Sequence, residues 1–359
     1  MTLECMFKNL PHKVIFTDAE FKDYAEKKGL NLAQVPYHKS RRFYLSFILG
    51  NIPEWKGNYS TRWLTKHLIE EFRSVYAFIY SVDCLKFANW IAQRLDIPFF
   101  VHIADHSVAF ENDEVRKILS RCKRLLCITN EMKYKYEAMI RRKDIEILHN
   151  GAERECFNIR PPVVSNFSEK NPFILCFIGG LFSYLHGDCI EDCFQAVAKI
   201  RKIIPWVEFH LYGQRQPTSF LDKEIQMKGV FHHGVIMPLE KKYSIMEKAH
   251  CFLIPSSFNL KYHESYKLSF PTKLPELIAS RRPILSYGPL GTSTNRLLQE
   301  HKIGLRLHKR SIHGLTTNLI EIIEDYSVVL KNSLASKKIV EEKYSADAVR
   351  SKLERILIQ

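Results

Sequence analysis

Lys273 and Glu276, at the start of a predicted short helix, are the two side chains in this sequence best suited to chemistry. Because they lie three residues apart, they share one face of the helix. A lysine ammonium can bind phosphate, and a carboxylate can accept hydrogen bonds from a sugar diol. Thr272 is the predicted N-cap, which leaves free N–H groups in the first turn for an anion. The pattern predicts a site for a nucleoside diphosphate; the alternative is an ordinary capped helix with a surface lysine and glutamate.

Polar or glycine-rich turns follow several other predicted strands. Asp105 and His106 follow one strand, Gly179 and Gly180 follow another, and Arg215 closes the turn after a third. In parallel α/β sheets, ligands bind beyond the carboxyl ends of the strands. We therefore expect these residues at the functional edges of the fold.

The elements that position these residues alternate along the chain. Short apolar runs are separated by segments of helical periodicity, which predicts parallel sheets wound with right-handed crossovers. The predicted strands include 75–80, 97–103, 124–129, 145–148, 173–178, 207–212, 251–256 and 284–287. A proline-rich polar segment over 160–172 has the composition of a linker. The sequence predicts an α/β protein with two Rossmann-like, doubly wound domains facing a central cleft.

Composition limits the class of protein further. The chain has 359 residues, of which 46% are hydrophobic and 26% charged, as in a soluble globular protein with two cores. No apolar run is long enough to span a bilayer, and the first residues lack the layout of a signal peptide. The nine cysteines include no CxxC pair and no metal-site spacing. We therefore expect reduced thiols in a cytoplasmic protein and no metal site.

The net charge of +14 favours anionic partners such as phosphates, nucleic acid or an acidic membrane surface. A basic and aromatic segment at 41–66 is compatible with a membrane interface, although an interior strand followed by an amphipathic helix is favoured. No RNP, helix-turn-helix or zinc-finger pattern is present, so we do not expect nucleic acid as a partner.

From about Val75 onward, the chain resembles retaining glycosyltransferases of the GT-B fold, in particular the large family 4. The segments that carry the resemblance are Ile79-Tyr80-Ser81, Asn150-Gly151-Ala152-Glu153, Phe177-Ile178-Gly179-Gly180, His210-Leu211-Tyr212-Gly213, Pro271-x-Lys273-x-x-Glu276 with Ala279 and Arg282-Pro283, and Glu342-Lys343-Tyr344-Ser345. The resemblance implies an acceptor-side domain over 1–165, joined by a C-terminal helix at 340–359. It also implies a nucleotide-sugar-binding domain over 170–339.

The resemblance also implies roles for individual residues. Glu276 matches the family's ribose-binding glutamate, and Gly179-Gly180 matches the loop beside the donor diphosphate. Thr272-Lys273 would lie at the phosphate-facing helix tip. His106 or Asp105 would lie near the donor sugar and acceptor, with His102 as a further candidate.

Three positions depart from the family pattern. The first of the family's paired glutamates falls at Leu268, with Glu264 nearby, and the usual arginine and lysine after the glycine loop fall at Leu181 and His186. The diphosphate charge would then be met by other cations, and the candidates are Arg215, Lys261 and Lys273. Altered phosphate contacts also leave open a loss of activity.

The function that the resemblance implies is metal-independent transfer of a hexose or similar sugar, with retention, from a UDP- or GDP-sugar. The absence of an obvious DxD-type acidic pair agrees with this. The acceptor would be a glycan or lipid-linked glycan in cell-surface polysaccharide synthesis, handled in the cytoplasm or peripherally on the inner face of the membrane, and no cofactor is implied. The alternatives are a nucleotide-sugar epimerase of the same fold and a non-catalytic basic protein that binds nucleic acid or membrane.

Overall fold

The computed structural model describes residues 14–16, 32–34, 74–79, 82–163, 166–214, 227–236, 240–335 and 337–358. Arg215 and the basic aromatic segment at 41–66 lie outside the described residues. Contacts divide the chain into two compact units, Met1–His149 with Val349–Gln359, and Asn150–Ala348. Each unit contains parallel strands and helices, which confirms the predicted α/β class and its two Rossmann-like sheets.

The first unit contains a four-stranded parallel sheet in the order β3-β4-β5-β6, and a separate parallel pair, β1 and β2. The strands are β1 Val14–Phe16, β2 Leu32–Gln34, β3 Val75–Ile79, β4 Phe99–Ile103, β5 Arg124–Cys127 and β6 Glu146–Ile147. The helices between them are α1 Val82–Leu95, α2 Asp113–Arg121 and α3 Asn130–Ile140. The C-terminal part of the last helix contributes Val349, Leu353 and Ile356 to a core that also contains Phe100, Leu126 and Leu148.

The second unit has six parallel strands in the order β12-β11-β10-β7-β8-β9. The strands are β7 Phe173–Ile178, β8 Val207–Tyr212, β9 Val230–His232, β10 Cys251–Pro255, β11 Ile284–Tyr287 and β12 Leu305–Leu307. The helices are α4 Arg154–Phe157, α5 Ser183–Ile200, α6 Lys241–Lys248, α7 His263–Leu268, α8 Leu274–Ala279, α9 Ser293–Glu300, α10 Ile312–Glu324, α11 Tyr326–Ala335, α12 Lys337–Tyr344 and α13 Ala346–Ile358, which continues into the first unit.

The strand order of the second unit is the Rossmann order, and it reverses between β7 and β10. Chain segments leave these two neighbouring strands in opposite directions, so a crevice opens beyond their carboxyl ends. One face of the sheet packs against α5 and α10 in a core that contains Phe173, Phe209 and Leu253. This core holds the crevice between β7 and β10 in position.

Arg282 is the largest of the fully buried side chains in the second unit. Its guanidinium donates to the backbone carbonyls of Ala249, Ser280 and Glu247, at 3.2, 2.6 and 2.7 Å. These carbonyls belong to the ends of α6 and α8, where helix C=O groups lack intrahelical partners. One side chain therefore ties together the C-terminal ends of α6 and α8.

No helix among the described residues is long and apolar enough to cross a membrane. In the same part of the chain, His, Cys, Asp and Glu side chains form no group of three or more that could hold a metal ion.

Candidate functional site

The two glycines after β7 lie at the reversal of strand order, where a parallel sheet places its ligand. The Gly179 amide donates to the carbonyl of Tyr212 at 2.8 Å, and the Leu181 amide donates to that of Gln214, also at 2.8 Å. Gly213 has φ +153°, and a Cβ atom there would lie 1.6 Å from the Gly179 carbonyl oxygen. The turn after β8 must therefore contain glycine, because no side chain fits against the first loop.

His186 fixes the glycine loop from the other side. It breaks the regular geometry of α5, with φ −151° and ψ 21°, and its Nε2 donates to the carbonyl of Gly180 at 2.6 Å. Burial lowers the pKa of His186, so the ring is neutral near pH 7. The ring also packs edge-on against Phe177 at 5.3 Å. The residue that replaces the family's lysine thus supports the loop and brings no charge to it.

The start of α5 is joined to the end of β10. The Ser257 amide donates to the carbonyl of Leu185 at 3.2 Å, and the Asp188 carboxylate accepts from the Phe258 amide at 2.9 Å. Ser256 and Ser257, which follow β10, are both buried. Backbone and side-chain hydrogen bonds therefore set the width of the crevice.

The predicted short helix is α8, and all six of its residues are buried. Its N-cap is Lys273, without a side-chain cap, so the prediction that Thr272 caps the helix is wrong; Thr272 lies exposed in the preceding turn. The Leu274 amide bonds instead to the Pro271 carbonyl at 2.9 Å, which tightens this turn and shifts the start of the helix by one residue. Because α8 has only six residues, its macrodipole contributes little positive potential at its N-terminus, and the charge at this site comes from side chains.

Glu276 is 6% exposed and accepts a hydrogen bond from Lys242 Nζ at 2.8 Å. Burial lowers the pKa of Lys273, Glu276 raises it, and Lys242 lowers it. The charge of Lys273 in turn lowers the pKa of His186. Lys273 and Glu276 lie at the start of α8, and the charge of Lys273 acts on His186, which supports the glycine loop.

His106 and Asp105 follow β4 in the first unit. Asp105 is exposed, whereas the side chain of His106 is 5% exposed. His106 Nδ1 lies 3.1 Å from the Tyr136 hydroxyl, and Nε2 lies 3.1 Å from Glu111 Oε1. Lys135 Nζ contacts the same glutamate oxygen at 2.8 Å. His106 is therefore oriented by side chains from the loop after β4 and from α3.

His102, the further candidate, lies within β4 and is fully buried. Its Nδ1 is 2.7 Å from the Tyr76 hydroxyl, and burial lowers its pKa to about 3. This environment is that of a neutral core histidine. Among the departures from the family pattern, Leu181 and Leu268 are both core residues, while Glu264 and Lys261 are exposed.

The structure brings together four of the predicted donor-site residues, Gly179, Gly180, Lys273 and Glu276, and places Asp105 and His106 in the other unit. Sequence reasoning missed Lys242 and the supporting role of His186. Lys242 is the second of two adjacent lysines on a predicted helix, and nothing in the sequence separates it from Lys241. The break at His186 accompanies its hydrogen bond to Gly180, whereas the helical periodicity of the sequence predicts a helix only over 191–203.

Residues 172–325, most of the second unit, match the family of glycosyl transferases group 1. This part of the chain is therefore similar in sequence to group 1 glycosyltransferases. The match covers β7 to the end of α10, and it includes the glycine loop and α8. Among curated proteins, none is significantly similar in sequence to this chain.

Solved structures place the whole chain in the GT-B fold of such enzymes. HepE of Anabaena, in complex with UDP and glucose, has a TM-score of 0.71 at 14% identity, with 99% of this chain and 94% of HepE covered. A glycosyltransferase from Rickettsia africae has a TM-score of 0.68 at 11% identity, covering 98% and 91%. WaaG, a glycosyltransferase involved in lipopolysaccharide biosynthesis, has a TM-score of 0.62 at 13% identity, covering 98% and 92%.

Proposed function

We propose that this chain transfers a hexose or similar sugar from a UDP- or GDP-sugar to a glycan or lipid-linked acceptor in cell-surface polysaccharide synthesis. The observation that carries the proposal is the neighbourhood of the glycine loop, Lys273 and Glu276 in a part of the chain similar to group 1 glycosyltransferases. UDP bound to HepE supports a nucleotide-sugar donor, and the part of WaaG in lipopolysaccharide biosynthesis supports the class of product.

In this proposal, the donor site belongs to residues 170–339. Glu276 accepts hydrogen bonds from the ribose hydroxyls, and Lys273 stabilises the charge that develops on the leaving diphosphate. Gly179 and Gly180 let the backbone approach the phosphates, because glycine has no side chain. The cation and the loop are held in place before the reaction, which is electrostatic preorganisation. Thr272 and Arg215 remain proposed contacts of the same donor.

His106, with Asp105 beside it, is the proposed catalytic group of the acceptor-side domain over 1–165. Its two ring nitrogens face a hydroxyl and a carboxylate, so a sugar hydroxyl that approaches the ring must replace one of these partners. We propose a retaining reaction that needs no metal, with Lys273 as the main cation at the leaving group.

A thermal-shift experiment tests the donor site. UDP, GDP, ADP and CMP are added separately to the purified protein and to the Glu276→Ala variant, with Glu324→Ala on the exposed face of α10 as the matched control. Saturation at about 100 times Kd stabilises a protein by about 2.7 kcal/mol. We expect UDP or GDP to raise the Tm of the wild type and of the control, and the shift to be lost in Glu276→Ala. An equal shift in all three proteins would contradict the assignment of Glu276.

Product analysis then tests the reaction. The protein is incubated with the sugar donor of the nucleotide that binds, with and without a lipid-linked glycan acceptor. We expect a glycosylated acceptor and free nucleoside diphosphate in equal amounts. Release of a free epimer without an acceptor product would instead identify an epimerase.

The net charge of +14 supports a further proposal, peripheral association with the inner face of the membrane. Vesicle flotation measures it. We expect the protein to float with vesicles that contain phosphatidylglycerol and to stay in solution with phosphatidylcholine alone. Equal behaviour with both vesicles would contradict electrostatic binding.

A further inference from the structure

Lys242 and Glu276 form an ion pair that no motif in the sequence predicts. Lys242 Nζ lies 2.8 Å from Glu276 Oε1, and the side chains are 17% and 8% exposed. The pair joins α6 to α8 across 34 residues of sequence. Few solvent-exposed ion pairs matter energetically, whereas a pair this well buried interacts strongly because the local dielectric constant is low.

The surroundings of the pair show how dry this position is. Cys156 on α4 has a pKa raised to about 12, chiefly by burial and in part by Glu276. Tyr243, next to Lys242, also has a raised pKa, again chiefly from burial with a contribution from Glu276. A carboxylate in such a place stays ionised only with a cation or strong donors beside it.

Two lysines compete for this one carboxylate. Lys242 contacts Oε1 directly, and Lys273 lies close enough for both Glu276 and Lys242 to shift its pKa. If Lys242 were absent, Glu276 would attract the ammonium of Lys273. The cation that the proposed function assigns to the diphosphate would then be neutralised within the site.

We propose that Lys242 is a positioning residue of the donor site. It holds the Glu276 carboxylate in the orientation that faces the ribose, and it leaves Lys273 available for the phosphates. This inference rests on the proposed function and adds to it. The site selects a ligand that carries both a ribose diol and a diphosphate. Lys242 acts through Glu276 and Lys273 and has no contact of its own with the reacting atoms.

Calorimetric titration with UDP, or with GDP if that nucleotide gives the larger thermal shift, tests the role of Lys242. The proteins are the wild type, Lys242→Met, Lys242→Arg, Glu276→Gln and the double variant Lys242→Met/Glu276→Gln. Lys241→Met is the matched control, because Lys241 is the adjacent lysine on α6 and is exposed. Lys242→Gln replaces Lys242→Met if the latter does not fold, since glutamine keeps a hydrogen-bond donor and removes the charge.

We expect Lys242→Met to weaken nucleotide binding at least about tenfold and Lys242→Arg to restore most of the affinity, because residues in one ion-pair network are energetically coupled. Lys241→Met should bind like the wild type. In the Glu276→Gln background, Lys242→Met should add little further loss, since its partner is already neutral. A structural role alone would weaken binding by the same factor in both backgrounds, and that result would overturn the inference.

The two proposals fail in different ways. A wild type that binds neither UDP nor GDP would overturn the proposed function itself. A wild type that binds, with Glu276→Gln weakened and Lys242→Met unchanged, would overturn only the role of Lys242. The loss in Lys242→Met should also be larger for UDP than for uridine, and an equal loss for uridine would overturn the role assigned to Lys273.

Discussion

The two groups of candidate site residues are held in opposite ways. In the second unit, the glycine loop and Glu276 are fixed by main-chain hydrogen bonds, a buried ion pair and the close approach of Gly213. In the first unit, His106 contacts the side chains of Tyr136 and Glu111, and the Glu111 side chain is 38% exposed. Rigid elements hold functional groups more accurately than loops do. The proposed donor site is therefore preorganised, whereas the group proposed near the acceptor is held by a partly exposed partner.

The largest effect should come from Arg282→Ala, which removes the connection between the ends of α6 and α8. Three carbonyls lose their donor, and a buried unsatisfied group costs about 1–3 kcal/mol. We expect a loss of about 3 kcal/mol or more in the free energy of unfolding, measured by urea denaturation. Arg306→Ala, at an exposed position on β12, should change it by less than about 0.5 kcal/mol. A small effect of Arg282→Ala would mean that water replaces the guanidinium and that the two helix ends do not depend on this side chain.

Low pH should weaken both units, through the buried His102 in the first and the partly buried His250 in the second. Burial lowers the pKa of His102 in the first unit to about 3 and that of His250 in the second to about 4. Because the unfolded chain binds these protons below about pH 6.5, stability is complete above that pH and falls as pH drops toward the folded values. For His102 the loss between pH 7 and 5 should be about 2 kcal/mol.

Hydrogen exchange at pH 7 and pH 5, corrected for intrinsic rates, measures this loss separately in β4 and β7. His250→Asn, which keeps an acceptor for the Ile174 amide that His250 Nδ1 binds at 3.1 Å, should reduce the pH effect in β7 and leave β4 unchanged. Equal protection at both pH values would contradict the neutral, buried state of these histidines.

His186→Ala tests whether the glycine loop is preorganised. The variant loses the hydrogen bond from Nε2 to the Gly180 carbonyl, and the free energy of unfolding should fall by about 1 kcal/mol. Nucleotide affinity, measured by calorimetry, should fall several-fold because the loop loses its support. Since His186 is neutral, its contribution should not change between pH 7 and 9. Unchanged affinity would mean that Gly213 and the backbone bonds hold the loop without His186.

The smallest effect should come from Tyr136→Phe in the first unit. It removes one partner of His106, and a hydrogen bond contributes about 1 kcal/mol net. We expect little change in nucleotide affinity and a modest change in the rate of sugar transfer, measured with saturating donor. A strong loss of nucleotide binding would mean that His106 and the donor site are coupled, and it would remove the contrast between the two regions.

Much of the fold could be predicted from local patterns. The runs Val75–Ile79, Phe173–Ile178 and Val207–Tyr212 are found as strands, because short apolar runs bounded by polar turns bury both faces of a parallel strand. Helix boundaries were less accurate. α5 begins at Ser183, eight residues before the predicted start at Glu191. The hydrogen bond from His186 Nε2 to the Gly180 carbonyl stabilises the non-helical conformation of His186 within it. α7, at His263–Leu268, was not predicted, because six residues carry too little periodicity.

By itself, the sequence determined the alternation of strands and helices, the glycine turns after β7 and β8, and the presence of Lys273 and Glu276 on one short helix. Each of these depends on residues that are near one another in the chain, where apolar spacing and backbone freedom act directly. Only the tertiary structure decided that Lys242 pairs with Glu276, that Arg282 joins the C-terminal ends of α6 and α8, and that His186 supports Gly180. The first two contacts join segments that the strand order β12-β11-β10-β7-β8-β9 places next to one another, and the third depends on the break in α5 at His186. A buried charge takes its partner from whatever the fold places beside it.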